Sequence, residues 1–301
     1  MARWGYRGRR FRPSYTPTYR ASAPLITGKV PFEEIKFSSW GDYLAHVSQE
    51  PTSDRKMSTD NTHSFTETAS YEEAMKMANE GWASAEADAR KLSNAIMRRV
   101  GSLVERDEEL FDVEGQGIDI GLYNCGEPEH WVRYEQHFNE APGPIVRIVF
   151  NGAASGGIST RSLVAKGAAV AGLIECIELS GKSVELWMAI VFSVGSETVE
   201  FRVKVKEAGQ PLDMGRVMFS LAHPSSLRRL GFRVLELSEH KDWVNVNYGF
   251  PADVASDRDR GDLYIPKSYY GEPQWTDEPT TIKWVIEQLR AQNVTVNDQT
   301  V

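Results

Sequence analysis

The segment Ile145-Val-Arg-Ile-Val-Phe-Asn-Gly-Ala-Ala-Ser-Gly-Gly-Ile-Ser-Thr160 carries the strongest signal for the fold class. Its first six residues are an apolar run typical of a buried strand, and a loop rich in glycine and small residues follows. Residues 161–179 then have the pattern of a helix that ends at Ser180-Gly181. A second apolar strand is predicted over 184–194. Strand, loop, helix and strand in this order indicate a parallel βαβ unit with a right-handed crossover.

The flanking segments extend this α/β pattern. Residues 198–205 alternate between apolar and polar side chains, which predicts a half-exposed antiparallel edge strand. The capping box Ser70-Tyr-Glu-Glu73 opens a long helix that reaches about Val100 and is weakened at Gly81. Further helices are predicted near 37–47, over 213–222, from Ser226 and over 280–292, further strands over 232–237 and 263–265, and short strands near 103–104 and 118–123 in an otherwise irregular 101–143.

Composition divides the chain into three regions. We predict a flexible basic and aromatic arm (1–30), a helical N-terminal region (31–139), and an α/β domain (140–301) with a doubly wound, mostly parallel sheet. Hydrophobic residues make up 41% and charged residues 25% of the 301 residues, as in globular proteins. No apolar run suits a membrane span or a secretory signal, and two cysteines make no disulfide framework. We therefore expect a cytoplasmic protein with no membrane partner.

The succession over residues 145–206 resembles the start of a von Willebrand factor A-type domain. In that family the loop after the first strand reads Asp-x-Ser-x-Ser and holds a divalent cation. Here Asn151 lies at the aspartate position, Ala153 at the first serine and Ser155 at the second. Because a hard cation loses its main charged ligand without the carboxylate, the resemblance implies an A-type-like domain without a metal. The alternative is a tight strand-to-helix connection that binds no ligand.

A second resemblance is to proteins of bacteriophages. It rests on Ser64-Phe-Thr-Glu-Thr-Ala-Ser-Tyr-Glu-Glu-Ala74 and Glu80-Gly-Trp82 together with the altered cation loop. Phage relatives of A-type domains are often adaptors, sometimes for AAA+ ATPases, which implies such a partner and a place in the host cytoplasm. No catalytic residue is carried over.

Motifs of the common enzyme classes are missing from the sequence. The loop after the first strand lacks both the P-loop lysine and the dinucleotide glycine pattern, and no nucleophile elbow accompanies the histidines. Cys125, His130 and His137 do not have zinc spacing, and the acidic run 253–262 does not fit the register of a calcium loop. We therefore expect no catalytic centre, no cofactor and no metal. An enzyme that uses loop 151–160 stays open as an alternative.

The segment 223–229, His-Pro-Ser-Ser-Leu-Arg-Arg, is a candidate phosphate site. Its proline ends one helix, and Ser225 or Ser226 could cap the next. Free amides at that helix start, with Arg228 and Arg229 one turn later, suit a phosphate. The alternative is a capped helix whose arginines pair with the acidic surface.

The N-terminal arm has a composition very different from the rest of the chain. Residues 1–32 carry a charge of +7 with no acidic residue, whereas the remainder carries −15. Arginines offer phosphate contacts, and aromatic rings offer faces on which unpaired bases stack. The candidate nucleic-acid-binding residues are Arg3, Trp4, Tyr6, Arg7, Arg9, Arg10, Phe11, Arg12, Tyr15, Tyr19 and Arg20.

Two functions follow as hypotheses. The first is a phage-encoded, oligomeric protein that binds single-stranded nucleic acid through the arm and acts as a replication or transcription cofactor. The second is a metal-free, A-domain-like adaptor or assembly protein whose arm docks on protein, since arginine and tyrosine also anchor protein interfaces. A flexible tail without a partner is the third possibility for the arm.

Overall fold

The predicted βαβ unit lies at the centre of a six-stranded sheet. The computed structural model describes residues 32–51, 56–101, 110–112, 117–118, 120–133, 144–294 and 296. The strands are β1 (Phe32–Phe37), β2 (Leu110–Asp112), β3 (Gly117–Ile118), β4 (Trp131–Arg133), β5 (Ile145–Asn151), β6 (Ser183–Val194), β7 (Glu197–Lys206), β8 (Phe250–Pro251) and β9 (Leu263–Ile265).

Ten α-helices lie in this part of the chain. They are α1 (Trp40–Val47), α2 (Met57–Asp60), α3 (His63–Thr66), α4 (Tyr71–Glu80), α5 (Ala83–Ile96), α6 (Ile120–Cys125), α7 (Thr160–Leu179), α8 (Met214–Ala222), α9 (Phe232–Glu236) and α10 (Glu278–Ala291). Met97–Gly101 and Ser226–Gly231 are π-helical turns, and Lys241–Val246 and Pro273–Trp275 are 3-10 turns.

The main sheet has the order β1-β7-β6-β5-β9, and the short β8 pairs with β6. β5 is parallel to both β6 and β9, and β1 is parallel to β7. β6 pairs antiparallel with β7 and β8, so β1, β7 and β8 run opposite to β5, β6 and β9. A mixed α/β fold with a mostly parallel sheet is thus confirmed, while the doubly wound A-type arrangement stays a prediction. A separate three-stranded sheet has the order β2-β4-β3.

Helix α7 is the centre of the hydrophobic core. Ser159 caps it by accepting a hydrogen bond from the Ser162 amide, and its middle, from Ala168 to Ile174, is buried on all sides. It packs between β6 and the helices α5, α8 and α10. Small residues in this stretch let the neighbouring helices approach closely, which explains why its apolar pattern is not confined to one face.

The two faces of the sheet are covered differently. One face carries the main core, to which every long helix contributes. In the described part of the chain, the opposite face has a small apolar cluster of Val149, Trp187, Ala189, Val191 and Val254 that contains no helical residue.

The edge-strand prediction for 198–205 is half right. β7 is antiparallel to β6, but β1 covers its other side, so it is not an edge. Its polar side chains Glu200 and Arg202 are buried and pair with each other. The alternation of apolar and polar residues shows that the two faces of a strand differ, but it does not show which face is exposed. β1 itself was missed, since no element is predicted over 32–36, and the helix predicted from Phe37 begins at Trp40.

Three other element predictions are corrected. Residues 232–237 are predicted as a strand but form α9, because the π-helical turn before them continues into the helix. Residues 118–123 are mostly the helix α6. The long helix from Tyr71 divides at Gly81, whose φ of +87° breaks α4 from α5. An added Cβ at Gly81 would lie 3.0 Å from the Gly215 Cα, so the break is also where two backbones meet.

The two predicted regions contribute to one core in the described ranges. α4, α5 and β1 belong to the same apolar cluster as β5 to β7. No helix in the described ranges is both long and apolar enough to cross a bilayer. The arm (1–30) lies outside the described residues.

Candidate binding site at the carboxyl edge of the sheet

The loop after β5 lies at the carboxyl edge of the sheet, where open α/β folds bind ligands. Asn151, the last residue of β5, is fully buried. Its Nδ2 donates to the Ala252 carbonyl (2.9 Å) and the Tyr264 hydroxyl (3.0 Å), and its Oδ1 accepts from the Ala153 amide (2.9 Å). The Asn151 side chain, which the resemblance places at the aspartate position of A-type domains, therefore ties the loop to the segment before β9.

The donor set at this loop does not fit a divalent cation. Asn151 uses its only side-chain oxygen within the loop, and Ala153 has no side-chain oxygen. Only Ser155, which is exposed, matches the family pattern. Within the described ranges, no three His, Cys, Asp or Glu side chains form a group that could hold a metal ion. Hard cations take several oxygen ligands, usually with carboxylates among them.

A pocket opens beside this loop at the carboxyl ends of β5 and β6. We call it the edge pocket; its volume is about 220 Å³. Its walls are mostly apolar and aromatic, and among the described residues that line it Arg228 is the charged one. The lining residues are Phe65, Ala153, Ala154, Ser155, Gly156, Phe192, Leu227, Arg228, Phe232, Asn247, Gly249, Phe250 and Pro251.

Arg228 is held in the pocket wall by two carbonyl groups. Its Nη1 donates to the Phe65 carbonyl (2.6 Å) and its Nη2 to the Ser155 carbonyl (3.3 Å), while its guanidinium lies 4.2 Å from the centroid of the Phe65 ring. The side chain is 6% exposed. Burial lowers the pKa of Arg228, yet an arginine stays protonated at neutral pH. The pocket wall therefore carries a full positive charge.

The rim of the edge pocket is a strained turn. Asn247, Tyr248 and Gly249 have φ values of +53°, +61° and +77°. Glycine is required at the third position, because a Cβ there would lie 2.3 Å from the Ser193 carbonyl oxygen. Consecutive left-handed residues cost energy and cluster at functional sites. Here the turn presents Phe250 to solvent, with 77% of that residue exposed.

Tyr248 anchors this turn to the body of the protein. Its ring stacks on Phe232 with centroids 4.1 Å apart. Its hydroxyl donates to Glu236 (2.5 Å) and accepts from the Met57 amide (3.1 Å). The aromatic rim is therefore a fixed part of the fold.

The predicted phosphate residues are brought together, but three of the four point into the protein. Arg229 is fully buried and donates to the Thr68 hydroxyl and to the carbonyls of Ser58, Thr59, Asn61 and Thr68. Ser225 donates to the Thr66 carbonyl and Ser226 to the Ser220 carbonyl. Neither serine side chain caps the π-helical turn.

The amides at the start of that turn are also used inside the protein. The Ser225 amide donates to His223 Nδ1 and the Ser226 amide to the His223 carbonyl, both at 3.0 Å. Three of the four predicted side chains and both amides are therefore engaged within the protein. The two arginines donate to main-chain carbonyls and to the Thr68 hydroxyl, and the carboxylates of Glu67, Glu72 and Glu73 act on them as charges. Of the four predicted residues, Arg228 lines the edge pocket, and Ser226 and Arg228 also line a small cavity of about 10 Å³.

Lys166 is a buried charged residue that sequence reasoning missed. Lys166, in the middle of α7, donates to the Pro266 carbonyl (2.7 Å) and the Ser268 hydroxyl (3.1 Å). Burial lowers the pKa of Lys166 to about 8. It fixes the segment after β9 to α7. A lone lysine inside the run Leu163-Val-Ala-Lys-Gly-Ala-Ala is the signal that could have found it.

The arm residues and His137 lie outside the described residues, so their predicted roles stay predictions. Comparison with known families gives a match to a model described as Domain of unknown function (DUF7192), over residues 26–296. The chain belongs to this family. No match was found among curated proteins or solved structures. The DUF7192 match covers the whole main sheet and the edge pocket, and only the first 25 residues precede it.

Proposed function

We propose that this DUF7192 protein is a non-enzymatic, A-type-like adaptor that binds a protein partner at the carboxyl edge of its sheet without a metal ion. The observation that carries the proposal is the contrast at the end of β5. Asn151 stands at the position of the metal-binding aspartate of A-type domains, and its side chain makes structural hydrogen bonds. The adjoining edge pocket, in contrast, is open and lined by aromatic residues.

The rim supports a protein partner. Phe250 and Val246 are exposed large apolar residues close to the pocket mouth, and exposed apolar groups beside a pocket mark interaction surfaces. Aromatic residues and arginine are also the residue types that dominate binding hot spots. A phage-encoded adaptor for an AAA+ ATPase or for replication or transcription machinery is the finer form of this proposal.

The experiment is affinity capture from host cells with the full chain, in buffer with magnesium and in buffer with EDTA. We expect the captured partner to be lost with Phe250→Ala and retained with Tyr270→Ala, which removes an aromatic residue that is 90% exposed and lies outside the pocket lining. EDTA leaves capture unchanged. Loss of the partner in EDTA, or retention with Phe250→Ala, would overturn the proposal.

The charge of the arm supports a second candidate function, the binding of single-stranded nucleic acid. Residues 1–32 carry +7 and the remaining chain −15. A labelled single-stranded oligonucleotide is titrated against the full chain and a chain without residues 1–20 at two salt concentrations. Each phosphate contact adds about 0.7 to the salt slope for single strands, so an active arm gives a steep slope that truncation removes. Equal binding by both chains contradicts this function.

A further inference from the structure

We infer that the edge pocket binds a short acidic peptide segment, with an aromatic or large aliphatic side chain in the pocket and a neighbouring carboxylate on Arg228. The inference rests on the proposed function and names the chemistry of the partner that the edge pocket selects.

The volume of the edge pocket indicates that it holds a single side chain of the ligand. Pockets for drug-sized ligands have volumes of roughly 300–1,000 Å³, whereas the edge pocket has about 220 Å³. Its walls include the rings of Phe65, Phe192 and Phe232, which belong to three separate segments of the fold. An aromatic ring that enters such walls gains apolar burial and edge-to-face contacts.

The positive charge in the wall of the edge pocket indicates that the ligand carries a carboxylate. Among the described residues, no carboxylate oxygen lies within 4.0 Å of the Arg228 guanidinium, and the Glu67 carboxylate acts on it from farther away. Arg233, five residues further along, lies 3.4 Å from the Glu236 carboxylate instead. A buried charge without a directly paired countercharge is unfavourable. A ligand carboxylate would supply the countercharge in a geometry that guanidinium groups recognise well.

The hydrogen bonds of Arg228 leave room for this ligand. A guanidinium has five N–H donors, and within the described part of the chain Arg228 gives two of them, to Phe65 and Ser155. These two bonds hold the side chain in place before a ligand arrives. Prior fixation of the cation lowers the entropic cost of binding.

A peptide fits better than a nucleotide. The pocket lining offers one cation, which matches a single carboxylate, whereas a phosphate group carries up to two charges. The candidate second cation, Arg229, is turned inward and occupied by main-chain carbonyls. The exposed Phe250 on the rim adds an apolar surface against which residues flanking the anchor can pack.

The test is an NMR titration of the isotope-labelled full chain with the capped dipeptide acetyl-Phe-Asp-amide and its control, acetyl-Phe-Asn-amide. The two probes differ only in the charge of one side chain. We expect the aspartate probe to bind at least about tenfold more tightly, as is typical of a charge-assisted hydrogen bond. Shifted amide signals should include those of Ser155, Gly156 and Gly249, which line the pocket.

Single-residue variants distinguish the contribution of the Arg228 charge to binding from that of apolar contact. Arg228→Gln should abolish the preference for aspartate, Phe250→Ala should weaken both probes about equally, and Tyr270→Ala should change neither. Equal binding of the two probes by the unmodified chain, or no shift at the pocket amides, overturns the inference. Phenyl phosphate displacing the aspartate probe at tenfold lower concentration would overturn the peptide assignment in favour of a phosphate ligand.

The two proposals fail in different ways. If capture of the partner depends on Phe250 but the two probes bind equally, the adaptor function stands and the acidic peptide is wrong. If capture is independent of Phe250, both are wrong.

Discussion

Two neighbouring arginines on one π-helical turn have opposite environments. Arg229 is fully buried and gives five hydrogen bonds to the segment 58–68. Arg228 gives two hydrogen bonds and lines the edge pocket. The difference shows that the same residue type at adjacent positions serves the stability of the fold on one side and forms the wall of the edge pocket on the other. π-Helical turns are frequent at functional sites, and here the turn places the two side chains in these two environments.

The largest effect is expected from Arg229→Met. It leaves buried carbonyls between Ser58 and Thr68 without donors, and each unsatisfied group costs about 1–3 kcal/mol. We expect the free energy of unfolding in urea to fall by about 3–5 kcal/mol. Arg228→Met should lose only about 2 kcal/mol, because only two carbonyls lose donors. Equal losses for the two variants would remove the distinction between the arginines.

The next largest effect is expected for the change in the free energy of unfolding with pH, through His223. Burial lowers the pKa of His223 to about 4, whereas a histidine in the unfolded chain titrates near pH 6.5. Between these values the unfolded state binds more protons, so the free energy of unfolding falls as the pH falls from about 6.5 to about 4. The loss from this residue is about 3 kcal/mol.

His223→Asn is the matched variant for this prediction. An asparagine oxygen can replace His223 Nδ1 as the acceptor for the Ser225 amide, but it does not titrate. The pH dependence of the variant should therefore be flatter over this window by the amount given above. The free energy of unfolding is measured in urea at several pH values for both proteins. If the two proteins show the same pH dependence, His223 is protonated in the folded state as readily as in the unfolded state.

Ser225→Ala should have a smaller effect. The Ser225 hydroxyl donates to the Thr66 carbonyl (2.6 Å) and lies 2.7 Å from the Thr68 hydroxyl, both buried. Its loss should lower the free energy of unfolding by about 1–3 kcal/mol. Ser155→Ala, at an exposed serine of the pocket lining, is the control and should change it by less than about 0.5 kcal/mol. A neutral Ser225→Ala would mean that this residue is not part of the buried network.

The smallest effect is expected from magnesium. The Asn151 side chain is used by the loop itself, so millimolar Mg²⁺ should leave the melting temperature unchanged within error. Differential scanning fluorimetry with and without EDTA measures this. A stabilisation that saturates with Mg²⁺ and disappears with Asn151→Ala would show a cation site at the loop.

Much of the fold was predictable from local pattern. The apolar runs of β5 and β6, the helix α7 between them and the capped helix α10 lie within a few residues of their predicted bounds. These elements have long periodic signals and clear caps or turns at their ends. β1 was not predictable in this way, because a six-residue strand gains its stability from pairing with β7, which is distant in sequence.

The candidate site was only partly predictable. Segment 223–229 was recognised as unusual, and loop 151–160 was identified as the place where the sheet ends. The pattern does not say which way each arginine points, because direction depends on carbonyls of residues 58–68, more than 150 residues away in sequence. Phe65 and Phe250 were missed, since single aromatic residues in loops give no periodic signal.

The most direct test of the central claim is the ratio of affinities of Arg228→Gln for acetyl-Phe-Asp-amide and acetyl-Phe-Asn-amide, with the unmodified chain measured alongside. We expect a ratio of at least about ten for the unmodified chain and about one for the variant, while the variant still unfolds cooperatively in urea. A folded variant that keeps the preference for aspartate would contradict the assignment of Arg228 as the anion-binding residue of the edge pocket.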